Sequence, residues 1–207
     1  MFGLKALPNL LTGLRLALAL FVFFALATAA GDTPYVEASG GAIYALDRWA
    51  VIAFALAAVT DFFDGWLARR LDATSVWGAI LDPIADKVLV CATVLGLLAL
   101  APSPPIVIPV ALILFREFTI GALREATAGR VSLPVTLLAK WKTTLQLIAL
   151  GAELVVATWS ALGLPGDPGP MLATAWMAHT LLWLAAAVTL ITGAQYLFQA
   201  RKALAAG

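Results

Sequence analysis

The chain is poor in charge. Only 12% of its 207 residues are Asp, Glu, Lys or Arg, about half the share of an ordinary soluble domain. Mean hydropathy is +0.97, and apolar runs near 20 residues recur, long enough to cross a bilayer core. Together these exclude a soluble globular class. Period-2 alternation is also missing, which excludes a membrane β-barrel and leaves helices, the other fold that satisfies its backbone in lipid. Cys91 is the only cysteine, so no intrachain disulfide forms and the redox compartment stays unread. His179 is the only histidine; it lies among apolar residues with no second ligand beside it and reads as a packing or interface residue. The net charge of +1 points to no particular partner, and none is expected among nucleic acids. No internal repeat or low-complexity segment stands out.

What is present is an all-α, polytopic membrane protein with six transmembrane helices in one domain covering residues 1–207. The expected spans are about 7–30, 46–70, 75–100, 105–126, 135–160 and 171–199. The 31–45 and 160–170 segments, with Gly, Pro and Ser, read as connectors. Alternating six spans puts Lys5, Arg69, Arg70, Arg124, Arg130, Lys140, Lys142, Arg201 and Lys202 on one side, against Arg48 alone on the other. By the positive-inside rule both termini face the cytoplasm. A cleaved signal peptide is the rival reading of span 1, from Lys5 and Ala27-Thr28-Ala29. Asn9, Thr12 and Arg15 interrupt its apolar stretch and suit a retained helix with a polar inner face.

Against this apolar background the stretch DFFDGWLARRLDATSVWGAILDPIADK, from Asp61 to Lys87, is conspicuously acidic. On a helix Asp61, Asp64, Gly65 and Ala68 share one face, as do Gly78, Asp82 and Asp86 on the next. A short connection near Leu71–Ser75 makes the two helices expected antiparallel neighbours, with Asp61, Asp64, Asp82 and Asp86 converging just inside the cytoplasmic surface. An unpaired carboxylate near mid-bilayer costs roughly 2.5–3.5 kcal/mol on insertion scales, and four together repel. Arg69 and Lys87 offset only part of this. Hard divalent cations bound by carboxylates and phosphates are the simplest remedy, and a pair about 4 Å apart brackets the attacking and leaving oxygens of phosphoryl transfer. Interhelical Asp–Arg salt bridges are the plainer reading of the acids, and helix packing that of Gly65 and Gly78. Asp72 reads as a solvated connector residue.

The order Asp61-x2-Asp64-Gly65-x2-Ala68-Arg69-x8-Gly78-x3-Asp82-x3-Asp86 resembles the signature of the CDP-alcohol phosphatidyltransferase family at every position. The resemblance implies a six-helix, dimeric membrane enzyme that binds a CDP-linked lipid and two divalent cations, Mg or Mn. An alcohol attacks the lipid-bearing phosphorus and CMP leaves. It implies Asp61, Asp64, Asp82 and Asp86 as metal ligands, Asp86 also as the base that takes the acceptor's proton. Gly65, Arg69 and Ser75 would contact the cytidine diphosphate part.

The acceptor must be read elsewhere. REFTIGALRE carries Arg116 and Arg124, and AKWKTTLQ carries Lys140 and Lys142. Four basic groups near the cytoplasmic ends of neighbouring helices suit a dianionic acceptor such as glycerol 3-phosphate better than serine or choline; the positive-inside rule alone would also place several of them. With LPNLLTGLR, these segments resemble bacterial members of the family that join CDP-diacylglycerol to glycerol 3-phosphate. That likeness implies a multi-pass protein of the bacterial cytoplasmic membrane, working in phosphatidylglycerol synthesis among membrane lipids. It also implies Asn9 and Thr12 lining the lipid-nucleotide cavity and Arg15 meeting the acceptor's phosphate. Ordinary polar helix packing is the alternative for these three. The same chemistry with inositol phosphate, serine or phosphatidylglycerol is a second reading. A divalent-cation transporter is a third, which explains the acids but not the glycines and Arg69 at fixed gaps. Glu153, deep in span 5, is expected to face other helices or the outer interface, and Trp159, Trp176 and Trp183 to anchor interfaces or face lipid.

Overall fold

The computed structural model describes residues 7–71, 76–126 and 137–205, with side chains described for 9–61, 81, 84–123 and 141–202. Among the described residues all regular structure is helical: α1 (Leu7–Ala29), α2 (Gly40–Leu71), α3 (Val76–Leu100), α4 (Pro104–Ala126), α5 (Leu137–Ala157) and α6 (Pro168–Ala205). Four of these, α1, α2, α4 and α6, are long and apolar enough to cross a membrane. Large apolar side chains cover the outside, including Phe24, Trp49, Phe115, Phe118, Trp176 and Phe198. In water such a surface would aggregate; in lipid it is solvated. The chain is a polytopic membrane protein.

α2 starts at Gly40 rather than near residue 46. Behind the two glycines of GGAIYALDRWA lie good helix formers, and the apolar environment favours the extra turns over an open backbone. α1 ends by the opposite use of glycine. Gly31 takes φ +83°, and the Asp32 N–H donates back to the Ala27 carbonyl at 2.9 Å, the closure of a Schellman cap.

Packing is not in chain order. α1 lies against α2 and α3 along most of its length, whereas among the described residues α2 and α3 touch each other little. α6 packs on α5 and α4. Ala and Gly at the crossings let the backbones approach: Ala19, Ala50, Ala53, Ala57 and Ala92 join Val22, Leu26, Leu89 and Leu97 in one buried core, the small-residue packing expected where lipid gives helices no hydrophobic reason to associate. Among the described residues α1 packs on both acidic helices and supplies a side chain, Arg15, that reaches an acid of each.

One end of the bundle is tied by polar contacts of its own. Arg48 of α2 donates from Nε and Nη2 to the Ala161 carbonyl beyond α5, at 3.1 and 2.9 Å. Glu153 of α5, 1% exposed, pairs with His179 Nδ1 of α6 at 2.7 Å. Glu153 thus faces a neighbouring helix, and His179 has an interface role. Arg48→Ala should lower thermal stability in detergent by about 1.5–3 kcal/mol, the worth of hydrogen bonds from a charged group, here to the buried Ala161; an unchanged unfolding midpoint would show that the Ala161 contact contributes nothing.

Candidate active site

At the other end of the bundle the helices deliver charge inward. Arg15 lies on the face of α1 buried against α2 and α3, 1% exposed, with Thr12 at 2% one turn before it. Its Nη1 is 2.7 Å from Asp61 Oδ1 of α2 and 2.6 Å from Asp86 Oδ1 of α3. One guanidinium nitrogen thus holds two carboxylates from two helices, and the convergence of Asp61 and Asp86 anticipated from helical spacing is present. Arg15, expected against an acceptor phosphate, sits between the acids. The acids are partly open, with side chains 30% and 40% exposed. They are hard oxygen donors from two elements, already sharing one cation, and such a donor set fits a hard divalent ion.

The other candidate residues divide. Asn9 and Thr12 stand on the first turns of α1 and both have polar partners. Asp64, Gly65, Arg69, Asp82, Arg124 and Lys140 fall within helices but outside the described side chains, and Ser75 lies outside the described residues. Among the described residues no group of three metal-ligating side chains assembles; Asp61 and Asp86 are the described half of the acidic set.

Arg116 and Lys142 are brought together by a residue that sequence reasoning left without a role. Glu117 Oε1 accepts from Arg116 Nη1 at 3.3 Å, from Lys142 Nζ and from Gln146 Nε2 at 3.4 Å. Gln146 also donates to Thr189 Oγ1 of α6 at 2.7 Å, and Arg116 Nη2 to Thr192 Oγ1 at 3.3 Å. The network ties α4, α5 and α6 together and satisfies groups that would be costly alone in a low-dielectric interior. Its signal in the sequence was slight: a Glu beside an Arg, and a Gln in the apolar run of α5.

Two glycines clear space for the cations. A Cβ on Gly193 of α6 would stand 2.8 Å from Arg116 Cγ and 3.1 Å from its Nε. A Cβ on Gly121 of α4 would stand 2.7 Å from Lys87 Nζ of α3. Gly193 seats the middle of a side chain and Gly121 only the tip of one.

Two cavities meet at Asp86. The larger, about 700 Å³, runs between α2 and α5 from Val51 and Val155 through Ala58 and Gly151 to Asp61, Asp86 and Thr143. Its wall is apolar except at the acidic end, and exposed Val59 and Ile148 lie on it. The smaller, about 150 Å³, is lined by Asp86, Lys87, Cys91, Glu117, Thr143 and Gln146. Asp86 and Thr143 belong to both. The arrangement suits a two-substrate reaction in which one partner has a long apolar part and the other is small and polar. A larger apolar groove at the opposite end, about 750 Å³ and lined by Pro104, Trp176, His179 and Trp183, is remote from this chemistry. Trp176 and Trp183 face outward there.

The comparison with known proteins agrees with this geometry. A family model described as CDP-alcohol phosphatidyltransferase matches residues 5–191, and the chain belongs to that family. It is similar to a CDP-diacylglycerol–glycerol-3-phosphate 3-phosphatidyltransferase of Cereibacter sphaeroides, 36% identical over 231 residues that cover 96% of each chain. Proteins of the same name from Rickettsia bellii and Sodalis glossinidius are 41% and 38% identical, over 72% and 79% of this chain and 77% and 86% of theirs.

Two outcomes follow from the packing. Arg15→Met leaves two facing carboxylates without their shared cation. Because the acids reach solvent, the loss should be about 1–3 kcal/mol, below that of a fully buried pair, read as a lower unfolding midpoint in detergent. Gly193→Ala should destabilise by about 1–3 kcal/mol through overpacking on Arg116. Gly121→Ala, which displaces only a flexible ammonium, should stay near the parent protein; equal effects of the two would contradict the seating of Arg116.

Proposed function

We propose that this chain transfers the phosphatidyl group of CDP-diacylglycerol to glycerol 3-phosphate, forming phosphatidylglycerophosphate and releasing CMP, at the cytoplasmic face of a bacterial inner membrane. The observation that carries the reading is the position of Asp86, on the wall shared by an apolar cavity of about 700 Å³ and a polar one of about 150 Å³. Acyl chains suit the first and a three-carbon phosphate the second. The names of the relatives support the same pair of substrates.

In this reading the acceptor lies in the small cavity with its reacting hydroxyl toward Asp86. The Asp86 carboxylate takes that proton as the oxygen attacks the phosphorus carrying diacylglycerol, and the bond from that phosphorus to the CMP oxygen breaks. Arg116, Lys142 and, beyond the described side chains, Arg124 and Lys140 hold the acceptor's phosphate. Arg69 and Gly65 meet the nucleotide diphosphate, with Ser75, Asn9 and Thr12 at its margins. Asp61, Asp64, Asp82 and Asp86 would hold Mg²⁺ or Mn²⁺, which neutralises phosphate charge and acidifies the bound alcohol. Arg15 orients Asp61 and Asp86 for that task and offsets their repulsion. Six spans, a homodimer and a cytoplasmic active site complete the proposal. The orientation rests on the one-sided distribution of basic residues.

An apolar groove of about 360 Å³, lined by Leu20, Phe23, Val88, Leu95 and Phe118, shares Lys87, Cys91 and Phe118 with the small cavity. It would serve a lipid acceptor such as phosphatidylglycerol, the second reading. Purified protein given CDP-diacylglycerol should release CMP only when glycerol 3-phosphate and Mg²⁺ or Mn²⁺ are both supplied. CMP release with phosphatidylglycerol alone would favour the second reading, and release without any added cation would remove the metals. Asp86→Asn should cut turnover by about 10²–10⁴-fold, as loss of a general base does, and an active Asp86→Asn would remove the assigned base.

A further inference from the structure

Glu117 occupies a place built for an anion. Two cations and an amide, from Arg116, Lys142 and Gln146, converge on its Oε1. Lys142 and Gln146 are 8% and 2% exposed. This is the donor set that recognises a phosphate oxygen, and here it is filled by the chain's own carboxylate, on the wall of the cavity that Asp86 also lines. Arg116 Nε, also buried, has no hydrogen-bond partner among the described residues, so the guanidinium has donor capacity left over. One helical turn beyond Glu117, Gly121 leaves room for the ammonium of Lys87 against α4. Lys87 also lines the small cavity. A third cation thus stands within a turn of the same carboxylate.

We propose that Glu117 is a built-in stand-in for the acceptor's phosphate, exchanged for it on binding; this rests on the function proposed above. Before the acceptor arrives, Glu117 keeps Arg116 and Lys142 paired. Unpaired in the interior they would repel each other. An entering phosphate dianion, with more oxygens and twice the charge, takes over the donors of Arg116 and Lys142, and Glu117 passes to Lys87. An alcohol without a phosphate has nothing to offer these donors and leaves Glu117 in place. Glu117 is accordingly a specificity-determining residue. It makes the site answer to an acceptor's charge before its hydroxyl is aligned at Asp86.

The exchange is tested by kinetics and by a readout that needs no turnover. In Glu117→Gln the competing charge is gone, so KM for glycerol 3-phosphate and Ki for inorganic phosphate should both fall, by about three- to tenfold, with KM for CDP-diacylglycerol unchanged. Glu117→Asp should restore the parent values. Without CDP-diacylglycerol, inorganic phosphate should raise the unfolding midpoint of purified Glu117→Gln more than that of the parent. A rise in KM for glycerol 3-phosphate in the folded variant, or equal stabilisation of both proteins by phosphate, would overturn the exchange. Should Glu117→Gln fail to fold, Lys87→Gln decides: removing the receiving cation should raise KM for glycerol 3-phosphate alone, and an unchanged KM would overturn the proposal. If the parent protein releases no CMP with glycerol 3-phosphate, the proposed reaction fails instead, and the phosphate-dependent midpoint still reads the anion site.

Discussion

The bridge from Arg15 to Asp61 and Asp86 is the contact on which the site end of the bundle depends. It joins α1, α2 and α3 through one nitrogen at 2.7 and 2.6 Å. In a membrane interior neither the cation nor the acids are tolerable singly. Held together they offset one another and fix the relative depth of the three helices. The cost of keeping them is consistent with a chain that spends charge sparingly, 12% of its residues, and concentrates it where phosphate chemistry requires it.

A second polar cluster does for α4, α5 and α6 what Arg15 does for the first three helices. Glu117, Lys142, Arg116 and Gln146, with Thr189 and Thr192, close that half of the bundle. Between the two clusters lies the wall carrying Asp86 and Thr143. The fold therefore presents one carboxylate to two compartments of opposite character. In the proposed reaction, apolar length is measured on the α2–α5 side and charge on the α4 side.

Helical character and membrane placement were legible because hydropathy and the lack of charge permit little else. Asp64 and Asp82 lie outside the described side chains, but the convergence of Asp61 and Asp86 was legible too, since helical spacing puts each on the acidic face of its helix. The helix that unites them was not. Arg15 carries a positive charge in an apolar span, and sequence alone does not say whether its partner is a ligand or two carboxylates more than forty residues away. Glu117 was hidden likewise, because its partners lie on α5 and its signal was one charge beside another. Gly121 and Gly193 read as ordinary small residues of membrane helices until the side chains they accommodate are seen. The early start of α2 was masked by Gly40 and Gly41, which resemble a connector.

The central claim is that the substrates reach Asp86 from separate cavities. Initial rates with both substrates varied, in two variants, test it most directly. Ala58→Phe narrows the α2–α5 cavity and Cys91→Phe the small one. The account predicts a raised KM for CDP-diacylglycerol alone in the first and for glycerol 3-phosphate alone in the second. Equal effects on both constants in both variants would contradict it.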